Sequence, residues 1–185
     1  SASTDADWTG DHDSCNAGET SNTFLTAVLR RINYYRSMAG IPPLAGWDAS
    51  YNYKAQAAAL MMSVNDMLSH TPDESWECYT EAGDEGAGSS NLYLGVYGPA
   101  AIRGYVYDPG TTNTAVGHRR WILYPQTQYM GSGDIPPVDD YLPANALWVF
   151  DLVNMWGPRP ETRDRRNPAH GTDRRPGGIE PTRRE

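Results

Sequence analysis

Apolar side chains recur with helical spacing early in the chain. A first helix is predicted to begin at Ser21 or Asn22, because either side chain can cap the first turn. Gly40 is suited to a left-handed stop, and Pro42-Pro43 cannot continue a helix. The apolar face of this predicted helix comprises Leu25, Val28, Leu29, Ile32 and Tyr35.

A second helix is predicted to follow Trp47, with Asp48 as its N-cap. It is expected to reach Ser69-His70, where Thr71-Pro72 stops it. This helix would place His70 at or just beyond its C-terminus. Most of its inward positions are small or flexible, which lets another element approach closely; they are Ala55, Ala58, Ala59, Met62 and Leu68.

The middle of the chain is dominated by turn-forming residues. Residues 71–98 contain five glycines and are predicted to form one long loop, which in a compact domain is usually functional. Pro99 suits the first turn of a short helix, PAAIRGYVY. The segment DPGTTN, residues 108–113, has the composition of a turn.

β-Branched and aromatic residues become frequent after residue 117. Three strands are predicted, over residues 118–125, 127–135 and 144–153. On a strand, Arg119 and Arg120 would point to opposite faces, so that one pairs with a carboxylate inside and the other faces solvent. Helices followed by strands predict an α/β domain in which helices cover a small mixed or antiparallel sheet.

Three regions follow from these patterns. Residues 1–20 are polar and are predicted to form an N-terminal arm, and residues 21–158 form the domain. Residues 159–185 are rich in Arg and Pro, with Ala169 and Ile179 as their only aliphatic residues, and are predicted to be disordered.

Charge is distributed unevenly along the chain, whose formal net charge is −8. Before residue 159 there are 7 Lys and Arg residues and 18 acidic residues, whereas the rest holds 8 Arg and 5 acidic residues. The domain is therefore expected to repel nucleic acid and anionic membranes. No run of about 18 apolar residues is present, so no transmembrane segment is expected.

Cys15 and Cys78 are far apart, and their spacing is not that of a zinc knuckle. In an oxidising compartment they could join the N-terminal arm to the segment after His70; the alternative is two free thiols. The single Lys and the many Asp, Gly, Trp and Tyr residues favour an extracellular protein. If the protein is secreted, this chain would be its mature form or would lack its leader.

Histidines are the most informative candidates for chemistry. His12 lies between Asp11 and Asp13, where a solvated acidic run is expected rather than a metal ligand. His70 and His118 lie at the ends of predicted elements, beside glycine-rich and carboxylate-rich segments, where functional side chains are usually placed. The alternative is a polar network that only satisfies buried groups.

Five segments in order carry a resemblance to a known family. They are INYYRSMAGIPPL (32–44), AQAAALMMSVNDMLSH (55–70), SSNLYLG (89–95), YDPGTTNTAVGHRRWILYP (107–125) and MGSG with ANALWV (130–133, 144–149). Together they resemble the CAP superfamily (cysteine-rich secretory, antigen 5, pathogenesis-related 1), in its bacterial extracellular branch. The resemblance implies a secreted α-β-α sandwich. It also implies a central cavity lined by two histidines and two carboxylates, often with a divalent metal.

The resemblance assigns both family histidines to residues of this sequence, but it does not assign both carboxylates. His70 matches the first histidine and His118 the second, and both are the implied metal ligands. The family's Gly-Glu-Asn appears here as Ser89-Ser90-Asn91, which puts Ser90 at the glutamate position. Glu81 is expected to supply that carboxylate and Asp108 the other, with Asn113 in reserve. The expected catalytic set is His70, Glu81, Asp108 and His118, and the expected ligand-binding set is Ser90, Asn91, Asn113, Arg119 and Trp76.

Three functions are compatible with this set. The first is a secreted binding module that holds a divalent metal (Zn, Mg or Ca) and an extracellular small molecule, lipid or glycan. The second is a metal-assisted or acid–base hydrolase of an extracellular glycan, peptide or ester. The third is a structural or partner-binding domain with an inert cavity, in which the loop 71–98 makes the contacts. Ser90 as a nucleophile is weakly supported because no G-x-S-x-G elbow is present. Trp76 and Tyr79 are either core residues or a platform for sugars or lipids.

The family usually completes its sandwich with further strand sequence near the C-terminus. Here the composition changes abruptly after Trp156-Gly157-Pro158. Either ANALWVFDLV is the closing strand, or a terminal strand is missing.

Overall fold

Five helices and four strands make up the described part of the protein, residues 5–111 and 113–161 of a computed structural model. The helices are α1 (Asn22–Met38), α2 (Ala49–Asn65), α3 (Glu81–Ser89), α4 (Gly98–Tyr107) and α5 (Gly117–Ile122). The strands are β1 (Gly46–Trp47), β2 (Ser90–Leu94), β3 (Tyr129–Ile135) and β4 (Ala144–Trp148).

The strands form one mixed sheet in the order β1-β3-β4-β2. β1 runs parallel to β3, and the β3–β4 and β4–β2 pairs are antiparallel. One cluster of buried residues joins α1, α4 and α5 to one face of the sheet, and a second joins α2 and α3 to the other. The alternation along β4 matches this, since Leu147 belongs to the first cluster and Trp148 to the second. The predicted α/β fold, with helices covering a small mixed sheet, is confirmed.

The two long helices begin where their caps predict. The Ser21 hydroxyl accepts a hydrogen bond from the Phe24 N–H, and the Asp48 carboxylate accepts from two N–H groups of the first turn of α2. The predicted end of α2 is wrong, because the helix ends at Asn65 and Asp66 adopts a left-handed conformation. His70 therefore lies five residues beyond the helix, in the loop.

Glycines on β3 allow α2 to pack directly on the sheet. A methyl group on Gly133 would lie 2.2 Å from the Ala55 backbone, and one on Gly131 would lie 2.4 Å from the Tyr51 backbone. Any larger residue at either position would push the helix away from the sheet. The small residues of α2 and the MGSG segment thus serve the same close contact.

The structure corrects three further element predictions. The predicted strand 118–125 contains helix α5 instead, and the predicted strand 144–153 ends at Trp148. The predicted loop 71–98 contains α3 and β2. Local composition concealed α3, since glycine disfavours helix, but the Thr80 cap and close packing on α2 offset that cost. At Gly86, a methyl group would meet the Lys54 carbonyl oxygen at 2.1 Å.

The described residues of the N-terminal arm pack closely on the domain. Ala6 is buried, and the Trp8 indole donates a hydrogen bond to the Ala17 carbonyl. Cys15 and Cys78 form the predicted disulfide, across a sequence separation of 63. This bridge joins the arm to the segment before α3.

The expectation that His12 belongs to a solvated acidic run is wrong, because its side chain is buried. His12 is only 4 % exposed, stacks on Tyr141 with ring centroids 4.0 Å apart, and shares a hydrogen bond with the Ser63 hydroxyl at 3.1 Å. Trp8 from the same arm and Tyr141 from a distant segment pack on the ring and exclude water from it.

Two further expectations concern the C-terminal segment and membrane insertion. The prediction of disorder for residues 159–185 falls outside the described residues from position 162 onwards. Among the helices that are described, none combines the length and the apolar character needed to cross a bilayer.

Candidate functional site

His118 and Asp108 form a directly hydrogen-bonded pair between two helices. Asp108 caps the C-terminus of α4 in a left-handed conformation, and His118 lies in the first turn of α5. The His118 Nδ1 lies 2.8 Å from Asp108 Oδ1. The Asp108 side chain is 2 % exposed and that of His118 is 43 % exposed. A buried carboxylate therefore supports an imidazole that reaches solvent.

Three groups converge on the Asp108 carboxylate. Besides His118, the Asn113 amide donates to Oδ1 at 2.8 Å, and the backbone N–H of Arg119 donates to Oδ2 at 3.2 Å. Burial raises the pKa of Asp108, but these hydrogen bonds outweigh it and leave the pKa below the ordinary value of 3.8. Val116, the N-cap residue of α5, offers no side-chain cap, so Asp108 provides the anion at this helix N-terminus.

His70 makes a different contact, with the end of α3. Its Nδ1 lies 2.8 Å from the carbonyl oxygen of Ala87. The residue itself is exposed. The ring of His70 is thus oriented by a backbone acceptor, whereas that of His118 is oriented by a carboxylate.

Both contacts determine which ring nitrogen carries the proton. A carboxylate and a carbonyl oxygen only accept hydrogen bonds, so Nδ1 must be the donor in both rings. In the neutral form of each histidine, Nε2 then carries a free lone pair. Neither Nε2 has a hydrogen-bond partner among the residues that the structure describes. This is the form in which imidazole binds a metal ion or accepts a proton.

The junction of α3 and β2 connects the two histidines. Ala87 in the last turn of α3 accepts from His70, and Asn91 in β2 donates to the backbone carbonyl of His118 at 3.2 Å. Both Ala87 and Asn91 are buried. Ser90, between them, is 5 % exposed and its hydroxyl has no hydrogen-bond partner in the described part of the chain.

A buried polar network extends from this junction into the sheet. The Tyr105 hydroxyl lies 2.9 Å from the Asn91 carbonyl oxygen and 2.8 Å from Asn145 Oδ1. The Asn145 amide donates to Asp134 at 2.8 Å. The Tyr105 ring lies 5.5 Å from the His118 ring. This network holds β2, β3, β4 and α4 in one arrangement behind His118.

Sequence reasoning missed Tyr105, Asn145 and Asp134. Tyr105 falls on the buried face of α4 with Ala101 and Ile102, so helical spacing marks it only as a core residue. Burial raises the pKa of Asp134, although three hydrogen-bond donors oppose that effect. The only signal in the sequence is that Asp134 and Asn145 are polar residues inside predicted strands. That signal does not show which residues they bind.

Arg36 positions the far end of α5. Its guanidinium is fully buried and donates to four backbone carbonyls, those of Pro42, Ile122, Tyr124 and Thr127. Ile122 is the last residue of α5. Asp108 therefore contacts the first turn of this helix and Arg36 contacts its end, which fixes the helix that carries His118.

Of the remaining predicted residues, Glu81 and Trp76 lie away from the Asp108–His118 pair, and Asn113 contacts it. Glu81 is exposed in the first turn of α3, six residues from Ala87 and so about 9 Å away along the helix axis. Trp76 is half-buried and packs on the second core cluster. Asn113 does not replace a carboxylate but donates to one.

The predicted strand positions of Arg119 and Arg120 are wrong, because both residues belong to helix α5. The predicted internal ion pair is not formed within the described residues. The Arg119 guanidinium donates instead to the backbone carbonyls of Val106 at 2.6 Å and Tyr107 at 2.7 Å. Arg120 is exposed.

The donor chemistry fits a metal ion only in part. The two free Nε2 atoms are suitable ligands for Zn²⁺. However, within residues 5–111 and 113–161 no group of three or more His, Cys, Asp or Glu side chains is placed to hold an ion. His70 and His118 are therefore the two protein ligands to test, and water would have to complete the coordination.

Comparison with known proteins gives one family match. The family model described as CAP, cysteine-rich secretory protein family, matches residues 29–136. This range includes both histidines, Asp108 and the α3–β2 junction. No curated protein matches the chain.

Proposed function

Because the chain belongs to the CAP (cysteine-rich secretory protein) family, we propose that it is a secreted domain that binds an extracellular ligand at its two histidines. The disulfide between Cys15 and Cys78 supports an oxidising compartment. Membership of a bacterial branch of the family stays a prediction. The ligand class proposed is a small molecule, lipid or glycan.

One observation carries this proposal: both imidazoles donate from Nδ1, and neither Nε2 has a partner within residues 5–111 and 113–161. Neither ring is buried, so the hydrogen bond at Nδ1 orients each ring without enclosing it. Here one nitrogen is anchored and the other is free. That arrangement suits a side chain whose ring orientation matters for a contact outside the domain.

Metal binding is a part of the proposal that has its own test. His70 and His118 would hold the ion through Nε2, and a bound divalent cation would supply positive charge to a ligand oxygen. Titration of the protein with ZnCl2 by calorimetry should show weak binding that falls about tenfold in His70→Gln and in His118→Gln. Unchanged binding in the double variant would place the metal elsewhere and refute this part.

A second candidate function, acid–base hydrolysis, is favoured by the Asp108–His118 pair. Nε2 of His118 would accept a proton from water as the water oxygen attacks an ester or amide carbonyl, and it would return that proton to the leaving group. Asp108 would hold the ring and stabilise the imidazolium that forms. No step in this scheme uses the metal.

A single panel separates the two functions. Wild type, His118→Gln and Arg30→Gln, an exposed residue on α1, would be tested against polysaccharides, peptides and esters for both binding and turnover. Binding without turnover, lost in His118→Gln and kept in Arg30→Gln, supports the binding domain. Turnover with the same dependence on His118 supports the hydrolase. Ligand binding that His118→Gln leaves intact would refute the binding domain, and turnover that it leaves intact would refute the hydrolase.

A further inference from the structure

Two clefts outside the histidine site share one residue, Arg119. The first cleft, of about 610 Å³, is lined by Tyr35, Tyr93, Arg103, Tyr107 and Arg119, among others. The second, of about 490 Å³, is lined by Arg119, Arg120, Trp121, Tyr124 and Arg159, among others. Both volumes fall in the range of small-ligand sites. His70 and His118 line neither of them.

The charge of these clefts is opposite to that of the protein as a whole. The chain carries a net charge of −8, yet four arginines line the two clefts and no acidic residue does. Within the described residues, no carboxylate lies within ion-pair distance of any of these four guanidinium groups. Arginines in an acidic protein usually have many carboxylates available, so four guanidinium groups without a carboxylate partner in the described residues form a local anion-attracting field.

The arginines are also available for hydrogen bonding. Arg119 is held in place by the backbone carbonyls of Val106 and Tyr107, which leave part of its guanidinium free to donate. Arg103, Arg120 and Arg159 make no side-chain hydrogen bond in the part of the chain that is described. A guanidinium can bind a carboxylate, sulfate or phosphate with two parallel hydrogen bonds.

Aromatic rings give the clefts a second chemical property. Tyr107 is 72 % exposed, and the Tyr93 ring is half-buried against Tyr105, with ring centroids 5.6 Å apart. In the second cleft Trp121 is held edge-to-face by Phe150 at 4.8 Å. The negative faces of such rings attract the C–H groups on one side of a sugar ring. Hydroxyl groups of the tyrosines add hydrogen bonds.

We infer that these two clefts bind an acidic polysaccharide, with sugar rings on the aromatic side chains and carboxylate or sulfate groups on Arg103, Arg119 and Arg120. Shared use of Arg119 would allow one chain to cross from the first cleft to the second. Nucleic acid fits less well, because a duplex carries one charge per about 1.7 Å and the remaining acidic surface would repel it. A uronic-acid polysaccharide carries about one carboxylate per sugar ring, which is a lower charge density than that of a duplex.

The test uses the full chain and defined oligosaccharides. Oligogalacturonate and a heparin-derived oligosaccharide would be titrated by calorimetry at about 20 and about 150 mM salt, with methyl-esterified oligogalacturonate as the uncharged control. Binding of either acidic ligand is expected, with a loss of about tenfold on methyl esterification and a further loss at the higher salt. The two acidic probes distinguish carboxylate from sulfate recognition.

Variants then locate the binding. Arg103→Gln/Arg120→Gln changes only exposed side chains and should weaken binding at least about tenfold, whereas Arg30→Gln, on α1 outside both clefts, should bind like wild type. Equal losses in both variants, equal binding of the methyl ester, no binding at about 1 mM, or tighter binding to single-stranded DNA or phosphatidylserine vesicles would overturn the inference. The double variant should keep the zinc titration of wild type, so this proposal and the histidine site fail separately.

Discussion

Asp108 and His118 are joined by a hydrogen bond of 2.8 Å that runs from Nδ1 of the imidazole to Oδ1 of the carboxylate. The two residues are ten positions apart and belong to the ends of different helices. Their contact sets the tautomer of a solvent-accessible ring by means of a buried charge. Most of what this site can do depends on that relationship.

Replacing Asp108 by Asn should change the tautomer of His118. The amide can donate to Nδ1, which would move the ring proton to Nε2 and remove the free lone pair. Long-range ¹H–¹⁵N spectra should show Nδ1–H in wild type and Nε2–H in Asp108→Asn. Asn113→Ala, which removes one donor but keeps the charge, should retain the wild-type tautomer. An Nε2–H tautomer in wild type would contradict the assignment.

The same carboxylate should contribute a stability that depends on pH. Its pKa is lower in the folded protein than the ordinary 3.8, so the unfolded chain binds the proton more tightly. The contribution is fully present above pH 3.8 and is lost as the pH falls through the folded pKa. Urea unfolding of wild type and Asp108→Asn should differ by about 2 kcal/mol at pH 7 and converge in acid. A constant difference down to the lowest pH would oppose this account.

Protonation of His12 should destabilise the protein. Burial lowers the pKa of His12 below 6.5, although the negative charges of Asp11, Asp13 and Asp139 raise it in part. The folded state therefore favours neutral His12, and its stability is complete above pH 6.5 and declines as the pH falls toward the folded pKa. The melting temperature of wild type should fall more steeply than that of His12→Asn between about pH 7 and pH 5. Parallel curves would show that His12 does not titrate in this way.

Arg36 should be essential for stability although it has no acidic partner among the described residues. Burial lowers its pKa to about 10, so it stays charged at neutral pH, and its guanidinium satisfies four carbonyls. Arg36→Met would leave those carbonyls buried and unpaired, at a cost of about 3 kcal/mol. We expect the melting temperature to fall by about 10 °C. Arg30→Met, at an exposed position of the same helix, should cost little; a similar small effect at Arg36 would refute the role.

The disulfide should stabilise the domain by attaching the N-terminal arm. Cys15→Ser/Cys78→Ser should lose about 3 kcal/mol in urea unfolding, because the bridge restricts a long loop of the unfolded chain. Reductant should shift the unfolding of wild type towards that of the double variant and leave the variant itself unchanged. No effect of reductant on wild type would mean that the thiols are not bonded in solution.

Ser90→Ala should be tolerated. The hydroxyl is buried and has no hydrogen-bond partner within the described chain, so its removal should leave stability unchanged or raise it by about 1 kcal/mol. Any esterase turnover should also persist, since the proposed hydrolysis uses water rather than this serine. Loss of turnover with an intact fold would instead support the serine as a nucleophile.

The fold was predictable where local pattern and tertiary packing agree. Helical spacing and the Ser21 and Asp48 caps located the first two helices, because each depends on neighbours in sequence. The short helices α3 and α5 were not predicted. α3 is rich in glycine, and α5 ends in Trp121-Ile122, which favours a strand; α3 is stabilised by a distant contact with Lys54 and α5 by one with Arg36. Local propensity is weak compared with such packing.

The sequence by itself determined the family, the α/β class, the disulfide pair as a possibility and the two histidines as candidates. These conclusions rest on ordered motifs and on residue type, which survive without coordinates. Only the tertiary structure decided that Asp108, one of the two expected carboxylates, contacts His118 directly, that Glu81 lies at the far end of α3, and that His12 is buried. Hydrogen bonds and burial join residues distant along the chain, and no local pattern records which of them will meet.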